Sequence, residues 1–185
     1  MRRTAAAASI LVLALAGGST GAGAAASRAG TAVPAGFKAA AITWLSPGHG
    51  WVLGSVPCGR RACADAIVSG DGGMTWQQAG RLPALVASVD TPADTGAAGI
   101  RFATRAIGWA FGPELFRTGD GGRSWLWQAI PGGGKQVLAL ASSAAGTYIV
   151  VSPCKQYAPA CPGRTLSLWR ADPAAGTSWK RIPLS

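Results

Sequence analysis

One eight-residue phrase occurs twice in this chain, and it limits the available folds more than any other feature. Ser69-Gly70-Asp71-Gly72-Gly73-Met74-Thr75-Trp76 and Thr118-Gly119-Asp120-Gly121-Gly122-Arg123-Ser124-Trp125 place a hydroxyl, Asp, Gly-Gly, a second hydroxyl and Trp in the same order. A worn third copy runs Asp172-Pro173-Ala174-Ala175-Gly176-Thr177-Ser178-Trp179. Upstream of each lies a strand-like start: Gly50-Trp51-Val52-Leu53-Gly54, Gly108-Trp109-Ala110-Phe111-Gly112 and, more weakly, Thr147-Tyr148-Ile149-Val150-Val151. Further upstream come the short runs 41–44, 100–103 and 137–140. Short strands between turn signals, repeating at ~40–55 residues, indicate propeller blades.

The spacing predicts four strands, a to d, in each of three units. They fall at about 39–45, 50–55, 65–69 and 75–79, then 99–103, 108–112, 114–118 and 124–130, then 136–142, 147–152, 165–170 and 178–182. The expected fold class is all-β, a partial β-propeller of about three four-stranded blades. With 27 Gly and 12 Pro in 185 residues, long helices have little room. An ordinary β-sandwich is the rival fold. The blades are expected at about 37–80, 97–131 and 135–183.

The repeated phrase has a local mechanism as a turn between strands c and d. The Asp carboxylate can accept N–H bonds from its own turn. The glycines supply positive φ without steric cost. The Trp opens strand d and is expected to bury its ring between sheets. Burying one aromatic side chain contributes ~2–3 kcal/mol. Ser69, Asp71, Gly73, Thr75, Trp76, Thr118, Asp120, Gly122, Ser124 and Trp125 are therefore read as structural. A calcium loop of the EF type fails, because its twelfth position is Leu82 rather than Glu.

The phrase resembles the Asp box of sialidase-type BNR repeats. Over 37–183 the blade pattern is similar to secreted actinobacterial BNR/Asp-box repeat proteins, some of them glycosyl hydrolase-like. The resemblance implies c–d turns that are Asp boxes, and a ligand face opposite them. That face would present Arg60, Arg61, Glu114, Lys155, Gln156, Tyr157 and Arg164, with Asp90 and Asp94 in the long link between the first two units. An exo-sialidase needs an arginine triad, a Tyr nucleophile with its Glu, and an Asp acid. Other glycosidases need two facing carboxylates. The chain has one Glu and two Tyr, and no catalytic residue is assigned.

Residues 1–26 have the plan of a secretory signal. Arg2 and Arg3 precede a 5–16 apolar run, and Ala24 and Ala26 precede a cut at Ser27. The run is short for a membrane span, which needs ~20 apolar residues. Export, a linker at 27–36 and no transmembrane span after cleavage are expected; an uncleaved anchor is the alternative. Gly17-Gly18-Ser19-Thr20-Gly21 mimics a nucleophile elbow but lies inside the signal. Pro131-Gly132-Gly133-Gly134-Lys135 mimics a phosphate loop, but Gln136 stands where Ser or Thr should be, so it reads as a turn.

The four Cys form two local pairs, Cys58–Cys63 and Cys154–Cys161, both between strands b and c. In an exported chain these read as hairpin disulfides. Zinc is the rival, with poor spacing and a single His, His49, read as a surface turn residue. No metal or cofactor is expected. Cleavage takes the formal charge from +10 to +8 by removing Arg2 and Arg3. The basic residues are scattered, so no specific nucleic-acid partner is expected.

The sequence thus predicts a non-catalytic module, secreted or otherwise extracytoplasmic, that binds a glycan or envelope polymer or scaffolds at the envelope. A sialidase-like or other glycoside hydrolase lacking most of its catalytic residues is the alternative. Closed propellers typically have 4–8 blades. Three blades therefore imply either a partial reading of a longer protein or a homo-oligomer that closes the ring. The open ends should expose apolar side chains near Trp44 and Trp179.

Overall fold

A computed structural model describes residues 31–87, 95–155, 165–172 and 178–184. The residues of the expected signal, and Asp90, Asp94, Gln156, Tyr157, Cys161 and Arg164, lie outside them. Twelve strands form among the described residues, with no α-helix. The first sheet holds β1 (Lys38–Ser46), β2 (His49–Cys58), β3 (Arg61–Ser69) and β4 (Gln77–Leu85). The second holds β5 (Gly99–Phe102), β6 (Gly108–Phe111), β7 (Leu115–Thr118) and β8 (Leu126–Trp127). The third holds β9 (Gln136–Ser143), β10 (Gly146–Ser152), β11 (Ser167–Ala171) and β12 (Lys180–Ile182).

Each sheet is an antiparallel meander in chain order. Each strand pairs with its neighbours in the chain, so every sheet is built from pairings between consecutive strands. The first strands of successive sheets lie side by side, β1 against β5 and β5 against β9. The fold class is the one the repeat predicted: all-β, with three four-stranded blades of a partial propeller. Pro131–Gly133 is a single 3₁₀ turn in which Gly132 takes φ 67°. A strand, β9, and not a helix, follows that phosphate-loop look-alike.

Two apolar layers lie between the blades. Trp51, Leu53, Ala64, Ala66 and Leu82 of blade one face Ile100, Phe102, Ala110, Phe116 and Trp125 of blade two. Trp51 and Phe102 stack with ring centroids 3.6 Å apart. Trp109 and Leu115 of blade two face Val137, Leu140, Ile149 and Val151 of blade three. Strand alternation explains the division, since every second side chain of a b strand points to the same neighbour. Gly50 and Gly108 open their strands because an aromatic ring of strand a fills the Cβ space: Trp44 at 2.5 Å and Phe102 at 2.5 Å.

The outer faces differ from expectation at one end. Trp44 is exposed as predicted. Trp179 is not at an open end: its ring packs on Trp109, 5.5 Å between centroids, in the layer between blades two and three. The reason is directional. Trp125 and Trp179, which end the second and third octapeptides, point back toward the preceding blade.

Cys58 and Cys63 form a disulfide across the β2–β3 turn, with Cα atoms 5.8 Å apart. Closing so short a loop stabilises by about 2 kcal/mol in the chain-entropy model. Cys154 is also disulfide-bonded, and Cys161, its expected partner, lies outside the described residues.

Candidate functional site

The two complete octapeptides fold into the same bond pattern. In the first, Ser69 Oγ donates to Asp71 Oδ1 at 2.8 Å and accepts from the Gly73 N–H at 2.8 Å. Asp71 Oδ1 accepts from the Thr75 N–H at 2.9 Å, and Oδ2 accepts from the Thr75 hydroxyl. Trp76 Nε1 donates to the Gly73 carbonyl at 3.0 Å. In the second, Thr118 Oγ1 donates to Asp120 Oδ1 at 2.8 Å and accepts from the Gly122 N–H at 2.9 Å. Asp120 Oδ1 and Oδ2 accept from the N–H and hydroxyl of Ser124 at 2.9 and 2.6 Å. Trp125 Nε1 donates to the Gly122 carbonyl at 2.9 Å. Gly72 and Gly121 sit at φ 77° and 80°, a region that disfavours L side chains.

These bonds set the acidity of both carboxylates. The Thr75 hydroxyl, then its N–H and the Ser69 hydroxyl, lower Asp71 from 3.8 to about 2. Burial pushes Asp120 upward, but the bonds from Ser124 and Thr118 together outweigh it, and the net shift is downward. A carboxylate held ionised by its own turn is a structural anion, poorly suited to donate a proton.

Each octapeptide also bonds to the a–b turn of its own blade. Gly72 N–H donates to the Gly48 carbonyl at 3.2 Å, and Gly121 N–H to the Ala106 carbonyl at 2.8 Å. The two kinds of turn therefore share one end of the blades. At that end a cleft of about 870 Å³ opens between blades one and two. His49, Trp51, Gln77, Arg105 and Arg123 are among the residues that line it. Burial and then the Arg105 charge lower the pKa of His49. Arg123 Nη1 donates to the Asp120 carbonyl at 3.2 Å. The cleft thus offers guanidinium and amide donors, while its one lining carboxylate, Asp120, is spent inside its turn.

Of the residues expected on the opposite face, Arg60, Arg61, Glu114 and Lys155 are among those described. Arg60 and Arg61 are exposed on the stapled β2–β3 turn, and Lys155 is exposed after β10. Glu114, between β6 and β7, is half-buried, and its carboxylate accepts the Gly96 N–H at 2.6 Å. Its own N–H donates to the Gly96 carbonyl at 3.1 Å, so Glu114 clamps the incoming link. Asp65 is buried on the outer face of blade one, where Gln78 Nε2 donates to it at 2.8 Å and Arg81 approaches to 3.7 Å. Burial raises the Asp65 pKa, against the opposing pull of Gln78 and Arg81.

Sequence reasoning missed the cleft. The signal was present in Arg105 and Arg123, which occupy the two turns of blade two that meet at one end. Read singly, each looks like a solvated charge; only the stacking of blades brings them to His49 and Gln77. No group of three or more His, Cys, Asp or Glu suited to a metal occurs among the described residues. No helix among them is long and apolar enough to cross a membrane.

No family model matches the sequence, and no curated protein matches it. The chain is similar to a solved structure of YCF48 bound to D1 peptide, at 15% identity and a TM-score of 0.41. That similarity covers 78% of this chain and 39% of the YCF48 chain.

Proposed function

We propose that the chain is an exported, non-catalytic β-propeller module of the BNR/Asp-box kind that binds or scaffolds at the cell envelope. The observation that carries this reading is the occupation of its acids. Asp71 and Asp120 are consumed by their turns, Asp65 by Gln78 and Arg81, and Glu114 by the Gly96 N–H. Glycoside hydrolysis needs two carboxylates facing one scissile bond. These four carboxylates instead each brace a different piece of backbone or sheet. The Cys58–Cys63 disulfide supports an oxidising compartment, in keeping with a cleaved signal at 1–26 and a linker at 27–36.

The ligand that best suits the cleft is an anionic glycan or envelope polymer, paired with Arg105 and Arg123. The test is a binding screen of the purified protein against envelope polysaccharides of known charge. Binding to acidic polymers that weakens at least tenfold in Arg105→Ser/Arg123→Ser is the expected result. Sugar release from aryl-glycoside substrates would overturn the non-catalytic reading.

A further inference from the structure

The two interfaces within the chain are built from equivalent positions, and this equivalence specifies a third. Aligning the Gly-Trp strand starts pairs Ile42, Trp44 and Trp76 of blade one with Ile100, Phe102 and Trp125 of blade two. In blade two these side chains lie under blade one: Ile100 is 0% exposed and Phe102 4%. In blade one, Ile42 is 51% exposed and Trp44 43%, and the Trp76 ring packs on Trp44 of its own blade. Phe37 covers Gly54 at the far end of this face, so the uncovered part is the half beside the octapeptide turn.

The complementary half is present at the other end of the chain. Trp51 and Trp109, each 0% exposed, are the b-strand residues that press on the following blade. Their equivalent in blade three is Tyr148, which is 39% exposed. An arginine of strand c lies over this ring in both blades two and three: Arg117 at 5.9 Å from the Trp109 centroid, and Arg170 at 5.8 Å from that of Tyr148. Blade three is therefore dressed for a following blade, and blade one for a preceding one.

We propose that a second copy of this chain supplies both. Blade three of each copy docks on blade one of the other, with Tyr148 on Trp44 in the relation that Trp51 has to Phe102. Such a contact joins two different patches, so it is heterologous and closes only if the rotation completes a ring. Two copies of three blades give six, within the usual 4–8 of closed propellers. This inference does not depend on what the cleft binds.

Sedimentation of the oxidised protein tests it, with two variants at exposed positions, Trp44→Glu and Tyr148→Glu. The wild type should sediment at twice the mass of one mature chain. Each variant alone should sediment at half the wild-type mass, with its circular dichroism unchanged. Mixing the two variants in equal amounts should restore the two-chain species, because one intact Tyr148–Trp44 interface remains between unlike copies. A wild type that sediments as one chain overturns the proposal. So does a mixture that stays at one-chain mass, or a single variant that still dimerises.

Discussion

The indole Nε1 of Trp51 donates to the backbone carbonyl of Gly121 at 3.0 Å, across 70 positions of sequence. This bond joins the second strand of blade one to the octapeptide turn of blade two, directly above the stacked pair Trp51–Phe102. It fixes the register of the two blades where apolar packing alone would allow sliding, because a hydrogen bond is directional and burial is not.

Trp51→Phe keeps a ring on Phe102 and removes the donor. It should lower stability by about 1 kcal/mol, the usual net worth of such a bond. Urea denaturation followed by Trp fluorescence measures it. An unchanged midpoint would mean that packing alone sets the blade register.

Acid should unfold the protein through its turns. Asp71 binds its proton less tightly folded than unfolded, and so does Asp120. Their stabilisation is complete above the unfolded value of 3.8 and is lost as pH falls, toward about 2 for Asp71. Asp65 carries the opposite sign: its folded pKa is raised, so its contribution improves as pH falls through that value toward 3.8. Melting temperature against pH should therefore drop below about pH 4 in the wild type. Asp71→Ala/Asp120→Ala should flatten that limb, and a limb of unchanged steepness in the double variant would contradict the assignment.

The paired glycines should differ in their tolerance of a methyl group. A Cβ on Gly121 would stand 3.0 Å from the Arg105 carbonyl oxygen, and one on Gly72 3.3 Å from that of Pro47. Both also hold positive φ, which costs an L residue roughly 1–2 kcal/mol. Gly121→Ala should thus be the more destabilising of the two in calorimetry. Equal losses would show that the turn relaxes away from the a–b carbonyl.

Glu114 should behave as a clamp. Glu114→Ala removes the acceptor of the Gly96 N–H and should cost about 1–2 kcal/mol. Glu114→Gln retains an acceptor oxygen and should recover most of that loss. Hydrogen exchange at the Gly96 amide is the direct readout; equal protection in all three proteins would remove the clamp from the account.

The repeat made the blades legible because the octapeptide writes its turn in its own side chains. The a-to-d strand order followed from Gly-aromatic starts and alternation. Strand ends were less legible: β4 runs from Gln77 to Leu85, although the spacing predicted an end near 79. Pairing with β3 continues past a bulge there, and no local residue announces it. The placement of Trp179 was misread because sequence shows that a Trp alternates with polar neighbours but not which adjacent blade it faces. The cleft was hidden for the same reason, since His49 and Arg105 meet only once two sheets stack. Glu114 was expected on the ligand face; its bond with the Gly96 N–H, 18 positions away, has no local signal in the sequence.

Every bond named within the octapeptide, from hydroxyl to Trp, begins and ends inside those eight residues. Such a turn is a portable cassette. It can be copied with its flanking strands into a new position and retain its shape before any neighbour has adapted to it. Blades built this way can multiply by tandem duplication at little initial penalty. Selection then acts afterwards on the contacts between blades, among them the Trp51 bond to Gly121.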